Sequence, residues 1–187
     1  YMNSFITYQY ALPDAQNIIV QEAIKGDYQW LILIEDDNVL PADAFMKFNK
    51  YMQSFETPVV SGLYFSKSTP SEPLIFRGRG TSVYWDWKFG DKVWCDGVPT
   101  GSLLIHMSIL RKMYDESPEY DIPGMGRARR VFEKPQKLWT DGEGHFNTLV
   151  GTTDLQWCTR VMEDKIFEKA GWPEYQKKKY PFLVDTN

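Results

Sequence analysis

Apolar positions fall along this chain in two kinds of run. Trp30-Leu31-Ile32-Leu33-Ile34 is an unbroken set of five, too short for a helix. It has the form of a strand buried on both faces at the centre of a parallel sheet. Val59-Val60, continuing through Gly62 to Phe65, predicts a second buried strand, Leu103-Leu104-Ile105 a third, and Phe182-Leu183-Val184 a last strand-like run. Between these the period lengthens. Ala15, Ile19 and Ala23 share a face after the helix-opening Pro13-Asp14, with Gly26 as the stop. Phe45, Phe48, Met52 and Phe55 form a stripe after Pro41, and Leu155, Cys158, Met162 and Ile166 another after Thr152-Thr153-Asp154. Strand, helix and strand over residues 30–65 make a βαβ unit, so parallel neighbours are expected.

The rest of the chain is less periodic. Residues 1–12 offer only a weak strand around Phe5 to Tyr8. From 66 to 100, turn residues, Arg77-Gly78-Arg79-Gly80 and Tyr84-Trp85-Asp86-Trp87 predict antiparallel ribbon beside the sheet. On a strand Trp85 and Trp87 would share one face, either as a platform for a sugar or as core. Asp96 and Gly101 flank the entry to the third strand, where a glycine lets backbone and ligand approach closely. Residues 115–147 read as an irregular excursion carrying Arg127, Arg129 and Arg130, a loop able to close over a diphosphate. Asp141, Glu143 and His145 alternate within it as a second, poorer metal candidate, and His106 reads as a structural histidine.

Composition narrows the class. With 187 residues, 43% of them hydrophobic, the chain can bury one domain-sized core. A net charge of −4 gives no general pull toward nucleic acid. No apolar run reaches the ~20 residues of a membrane span, so no transmembrane segment is expected, and no leader pattern opens the chain. Cys95 and Cys158 have no metal-ligand spacing, which predicts free thiols and a cytoplasmic protein.

The chemistry concentrates directly after the first strand, at Glu35-Asp36-Asp37. Adjacent carboxylates repel, and a cation is their natural occupant. A hydrophobic strand ending in these acids, followed by Val39-Leu40-Pro41, resembles the acidic motif of GT-A nucleotide-sugar glycosyltransferases. Thr153-Asp154 at a helix start resembles the same family's catalytic acid, although the family's preceding Glu is replaced by Thr153. Phe182-Leu183-Val184-Asp185 resembles its last core strand, without the His that follows in relatives. Asp14-Ala15-Gln16-Asn17 resembles a stretch ahead of the acidic strand, with Asn17 expected on a helix surface.

The resemblance implies an α/β GT-A (Rossmann-like) fold: a mixed, mainly parallel sheet flanked by helices, with a small antiparallel ribbon. It implies a single GT-A-like domain over residues 1–187, incomplete at both ends. It further implies transfer of a sugar, with inversion, from a UDP- or GDP-type donor to a carbohydrate or other hydroxyl acceptor. Mn²⁺ or Mg²⁺ would be held by Asp37 with Glu35. Glu35, Asp36, Asp37 and Gly101 would contact the donor, Trp85, Trp87 and Asp96 the acceptor, and Asp154 would be the general base. Two rivals remain: a non-catalytic carbohydrate-binding module on the same fold, and a glycoside hydrolase using two carboxylates.

Overall fold

The computed structural model describes residues 2–78 and 83–187; Arg79 and Gly80 of the arginine–glycine stretch lie outside them. Helix α1 (Leu12–Lys25) leads to strand β1 (Trp30–Ile34), followed by α2 (Ala44–Ser54), β2 (Val59–Gly62) and β3 (Lys92–Cys95). Then come β4 (Ser102–His106), α3 (Met107–Glu116), β5 (Glu119–Ile122), β6 (Gly126–Arg129), β7 (Gln136–Thr140) and β8 (Phe146–Val150). Helices α4 (Thr153–Glu163), α5 (Ile166–Lys169) and α6 (Pro173–Gln176) precede the last strand, β9 (Phe182–Asp185).

The main sheet has five strands in the order β1-β4-β2-β9-β3. Pairing is parallel between β2 and β9 and antiparallel at the other three junctions. The expectation of a mainly parallel, Rossmann-like sheet is therefore corrected: this is a mixed α/β fold with mostly antiparallel pairing. β1 is not the central strand either. It lies at the sheet edge and pairs with β4 alone, and Ile34 is 43% exposed. A run of five apolar residues records that side chains are covered. It does not record which strand lies alongside, and β4 is inserted between β1 and β2 in place of a direct βαβ pairing.

Alternation along each strand sends side chains to two separate cores. Leu33, Val59, Leu103, Ile105, Phe182 and Val184 belong to the larger, which also takes residues of α1, α3 and α4. Val60, Leu104 and Leu183 face the other way, onto Phe48 and Tyr51 of α2. The buried face of α2 is thus Ala44, Phe48 and Tyr51, while Phe45 and Phe55 are largely exposed. Helix α4 likewise buries Trp157, Cys158 and Val161, and ends before Ile166.

The region expected to be irregular contains the ribbons. β5 pairs with β6 and β7 with β8, whereas the described residues among 66–90 form isolated bridges and turns. The β5–β6 ribbon covers Ile18 of α1 with Ile122 and Ala128. Its arginines are committed locally: Arg129 donates to the carbonyls of Tyr114, Asp115 and Ser117 at the C-terminal end of α3, and Arg127 pairs with Glu119 and Asp121. Phe5 and Tyr8 lie exposed outside any strand.

Candidate functional site

β1, β2 and β9 run in the same direction, so their carboxyl ends meet at one edge of the sheet. That edge is where ligands bind in open α/β sheets. Glu35 follows β1, Tyr64 follows β2, and Asp185 ends β9, paired with Gly62. β4 enters there from the opposite direction, with Ser102 facing Ile34.

Gly101 is the hinge of this edge. Its carbonyl accepts the Glu35 N–H at 3.1 Å and the Asn38 side-chain amide at 2.9 Å, while its own N–H donates to the Tyr64 hydroxyl at 2.7 Å. A Cβ at position 101 would sit 2.5 Å from that hydroxyl oxygen and collide with the Asn38 amide as well. Only glycine leaves room for the three segments to meet. The expected close approach at Gly101 is present, although it is made by protein groups.

Behind Gly101 a buried polar chain reaches Glu35. Gln16 Nε2 donates to Thr100 Oγ1 at 3.0 Å, and the Thr100 hydroxyl donates to Glu35 Oε1 at 3.1 Å. Gln16 Oε1 is buried without a partner. Burial pushes the Glu35 carboxyl above the usual carboxylate range; Thr100 opposes this, and the negative charges of Asp37, Asp154 and Asp36 reinforce it. The Tyr64 hydroxyl is also held protonated, first by burial and then by the charges of Glu35, Asp154 and Asp37. Asp154, in the first turn of α4, adds its negative charge to the surroundings of both groups. Its Oδ1 accepts the N–H of Leu155 at 3.0 Å, and Thr152 precedes the helix without a side-chain cap.

Asp37 has a different environment. Lys67, on the loop after β2, places Nζ 2.6 Å from Asp37 Oδ2 and holds that carboxyl below the usual range. Asp36 is exposed. Among the described residues, no group of three or more His, Cys, Asp or Glu side chains is arranged to hold a metal ion. The cluster nonetheless fits a hard cation in part: two oxygen donors of the right kind, an excess of negative charge felt at Glu35, and an ammonium already drawn to Asp37. Remaining ligands would have to come with the substrate or from water.

A small cleft of about 90 Å³ opens beside Asn38, with Tyr64, Lys47, Tyr51 and Asp185 among its walls. Glu35, Asp37 and Asp154 do not line it. Tyr51 donates to Asp185 Oδ2 at 2.7 Å, which ties α2 to the end of β9. Tyr64, Thr100, Lys67 and Asp185 escape a reading of the sequence. The signal for Tyr64 and Asp185 was their place at or just past the ends of strands β2 and β9; Thr100 and Lys67 carried none.

The expected acceptor residues do not join them. The Trp87 N–H donates to the Trp85 carbonyl at 3.0 Å, a tight turn that breaks strand alternation. Trp85 is 58% exposed, while Trp87 packs on Phe65 and Phe89 against the larger core, so the two rings make no common platform. Asp96 follows β3 at the end level with Phe182, the far edge of the sheet from Asp185, and its carboxylate accepts the Gly78 N–H at 2.9 Å. Asp141, Glu143 and His145 surround the exposed turn between β7 and β8, where Asp141 Oδ1 accepts the backbone N–H groups of the other two. His106 is structural: its ring nitrogen accepts the Ser108 N–H at the start of α3, and the ring meets Trp30 edge-on at 4.7 Å.

No family model matches the chain, and no curated protein matches it. Among solved structures it is similar to the crystal structure of A197 from STIV, at 18% identity and a TM-score of 0.43. That alignment covers 63% of this chain and 56% of the other, and at such a score it carries neither fold nor function across. Membership of the GT-A glycosyltransferases is therefore not supported, and the sheet pairing departs from the expected one. An apolar strand ending in acids is a short pattern that any sheet with a polar edge can produce.

Proposed function

We propose that this protein is a divalent-cation-dependent transferase that moves a sugar from a nucleotide-diphosphate donor to an acceptor hydroxyl. What carries the reading is the half-buried carboxyl of Glu35, held by Thr100 and crowded by the negative charges of Asp37, Asp154 and Asp36. Carboxylates drawn from elements so far apart in the chain raise the Glu35 pKa by burial and mutual repulsion, a cost that a bound cation would relieve.

Asp37 would hold the ion, with Glu35 beside it and held in orientation by Thr100. A cation of the Mn²⁺ or Mg²⁺ kind would supply Lewis-acid stabilisation of a leaving diphosphate. Asp154 takes the proton of the acceptor hydroxyl, and the neutral Tyr64 offers a hydroxyl to the ligand at the cleft wall. Inversion at the sugar follows from a single displacement of this kind. Two buried free thiols, Cys95 and Cys158, agree with a reducing compartment, the cytoplasm. Among the described residues no helix is long and apolar enough to cross a membrane.

A second reading uses the same pair. A carboxyl with a raised pKa facing another carboxylate also suits glycoside hydrolysis, in which one acts as acid and the other as base or nucleophile. Metal dependence separates the two. Calorimetry with UDP and GDP, with and without Mn²⁺, is expected to give nucleotide binding only when the ion is present. Equal affinity without the ion, or no binding at all, overturns the transferase; glycoside cleavage that persists in EDTA establishes the hydrolase.

A further inference from the structure

The β7–β8 ribbon contributes no side chain to either core. Every residue of β7 is exposed, and so is every residue of β8 except the half-covered Asn147. Phe146 is 90% exposed, and Leu138, Leu149 and Val150 are exposed as well. The ribbon has two strands, so β8 has one edge without a neighbouring strand among the described residues. Its hydrogen-bond phase is fixed at both ends: the Asp141 N–H donates to the His145 carbonyl at 3.0 Å, and the Gly151 N–H to the Pro135 carbonyl at 2.9 Å. Counted inward from either end, Phe146, Thr148 and Val150 occupy the positions whose N–H and C=O point away from β7. Their side chains share one face with Leu138, which lies opposite Thr148. A lone two-stranded ribbon is marginal in water, and apolar edges are ordinarily blunted with lysine or proline. β7 has Pro135 just before it and Lys137 within it; Phe146-Asn147-Thr148-Leu149-Val150 has neither, and carries no charge.

We propose that β8 is a self-recognition edge: two copies of this chain join β8 to β8, antiparallel about a two-fold axis at Thr148, into one continuous sheet. The strand itself selects a second copy as the occupant. About Thr148 the outward backbone groups of Phe146, Thr148 and Val150 meet the same set running the other way, so the bonding phase matches itself. Phe146 then faces the partner's Val150, and Thr148 faces the partner's Thr148. Aromatic–β-branched and Thr–Thr pairs are among those that stabilise neighbouring strands. A two-fold axis sets each charge near it against its own kind, and β8 brings none. The joined face carries Leu138, Phe146 and Val150 of both copies, and the ribbon gains the additional strands it needs for stability. The contact is confined to one short strand from each copy, so the dimer is reversible, below the size of permanent interfaces. None of this depends on the transferase reading.

The test is a charge swap at the axis. Sedimentation equilibrium of the chain over a range of concentrations is expected to show a monomer–dimer equilibrium. Thr148→Lys and Thr148→Glu, each alone, set like charges face to face and weaken association about five- to tenfold. An equimolar mixture of the two restores association to within about twofold of the parent, because opposite charges then meet. Rescue on mixing cannot come from variants that have merely lost the ribbon. A parent that stays monomeric at every concentration overturns the proposal. So does a parent dimer that neither substitution weakens, since its interface then lies elsewhere. Two variants that remain monomeric when mixed overturn it as well, because pairing about Thr148 requires the rescue.

Discussion

Glu35, Asp36 and Asp37 are adjacent in the chain but differ in environment. Asp37 is exposed and paired with Lys67, Asp36 is exposed, and Glu35 is half-buried against Thr100. The pKa of Glu35 is raised, chiefly by burial and further by repulsion from Asp37, Asp154 and Asp36, while that of Asp37 is lowered by Lys67. Because the folded pKa of Glu35 exceeds the unfolded one, its contribution to stability is fully present below the ordinary Glu pKa and is lost as pH rises through the folded value. At neutral pH the ionised side chain therefore costs stability. Glu35→Gln is expected to unfold at higher urea than the parent at pH 7, by no more than about 1 kcal/mol given the solvent screening of a half-exposed group. The gap closes below about pH 4, where Glu35 is protonated in both states. A gap of the same size at pH 4 and pH 7 would assign the effect to packing instead of charge.

Elements here are fastened by a few polar contacts that no periodicity announces. Asn17, on the face of α1 expected to meet solvent, is fully buried. Its amide donates to the Phe132 carbonyl and the Tyr120 hydroxyl, each at 2.9 Å, and its oxygen accepts the Phe132 N–H at 2.8 Å. One side chain thus satisfies both backbone groups of Phe132, whose ring stacks on buried Trp157 of α4 at 5.8 Å. Asn17→Ala leaves those groups unpaired and is expected to cost about 2–4 kcal/mol in chemical denaturation; a loss under 0.5 kcal/mol would mean that water replaces the amide. Gly101 fastens β4 to β1 and to the segment after β2. Gly101→Ala is expected to cost about 1–3 kcal/mol by overpacking against Tyr64 and Asn38. The double variant with Tyr64→Phe recovers part of it if the hydroxyl is the obstacle, and none if the backbone is.

Across the whole molecule, the sheet collects at one edge groups that the chain spreads from Gln16 to Asp185. Asp154 opens α4, which is fastened to the body of the molecule by packing of Trp157 against Phe132 and Phe182. Asp154→Asn keeps the shape at the helix start but cannot accept a proton. It is expected to bind Mn²⁺ and nucleotide within about threefold of the parent and to lose sugar transfer by about 10²-fold or more, the low end of general-base contributions. Transfer that survives within a few-fold would leave Asp154 as a helix-start residue.

What the sequence determined by itself is local. Apolar runs located β1, β2, β4 and β9, because a buried strand must be apolar wherever it sits. Periodicity with Pro and Gly signals located α1, α2 and α4 to within a few residues, and the polar turn after β1 pointed to Glu35–Asp37. Pairing was decided only by tertiary structure, because parallel and antiparallel neighbours cover the same side chains and leave the same pattern. Hence β1 reads as central and lies at an edge, and the ribbons of residues 119–150 read as loop because β7 and β8 are almost wholly exposed and carry no buried face. The site's less visible members have the same origin. Thr100, Tyr64, Lys67 and Asp185 are ordinary residues until the sheet edge brings them to Glu35, Gly101, Asp37 and the cleft, and a contact between distant segments leaves no trace in either segment alone.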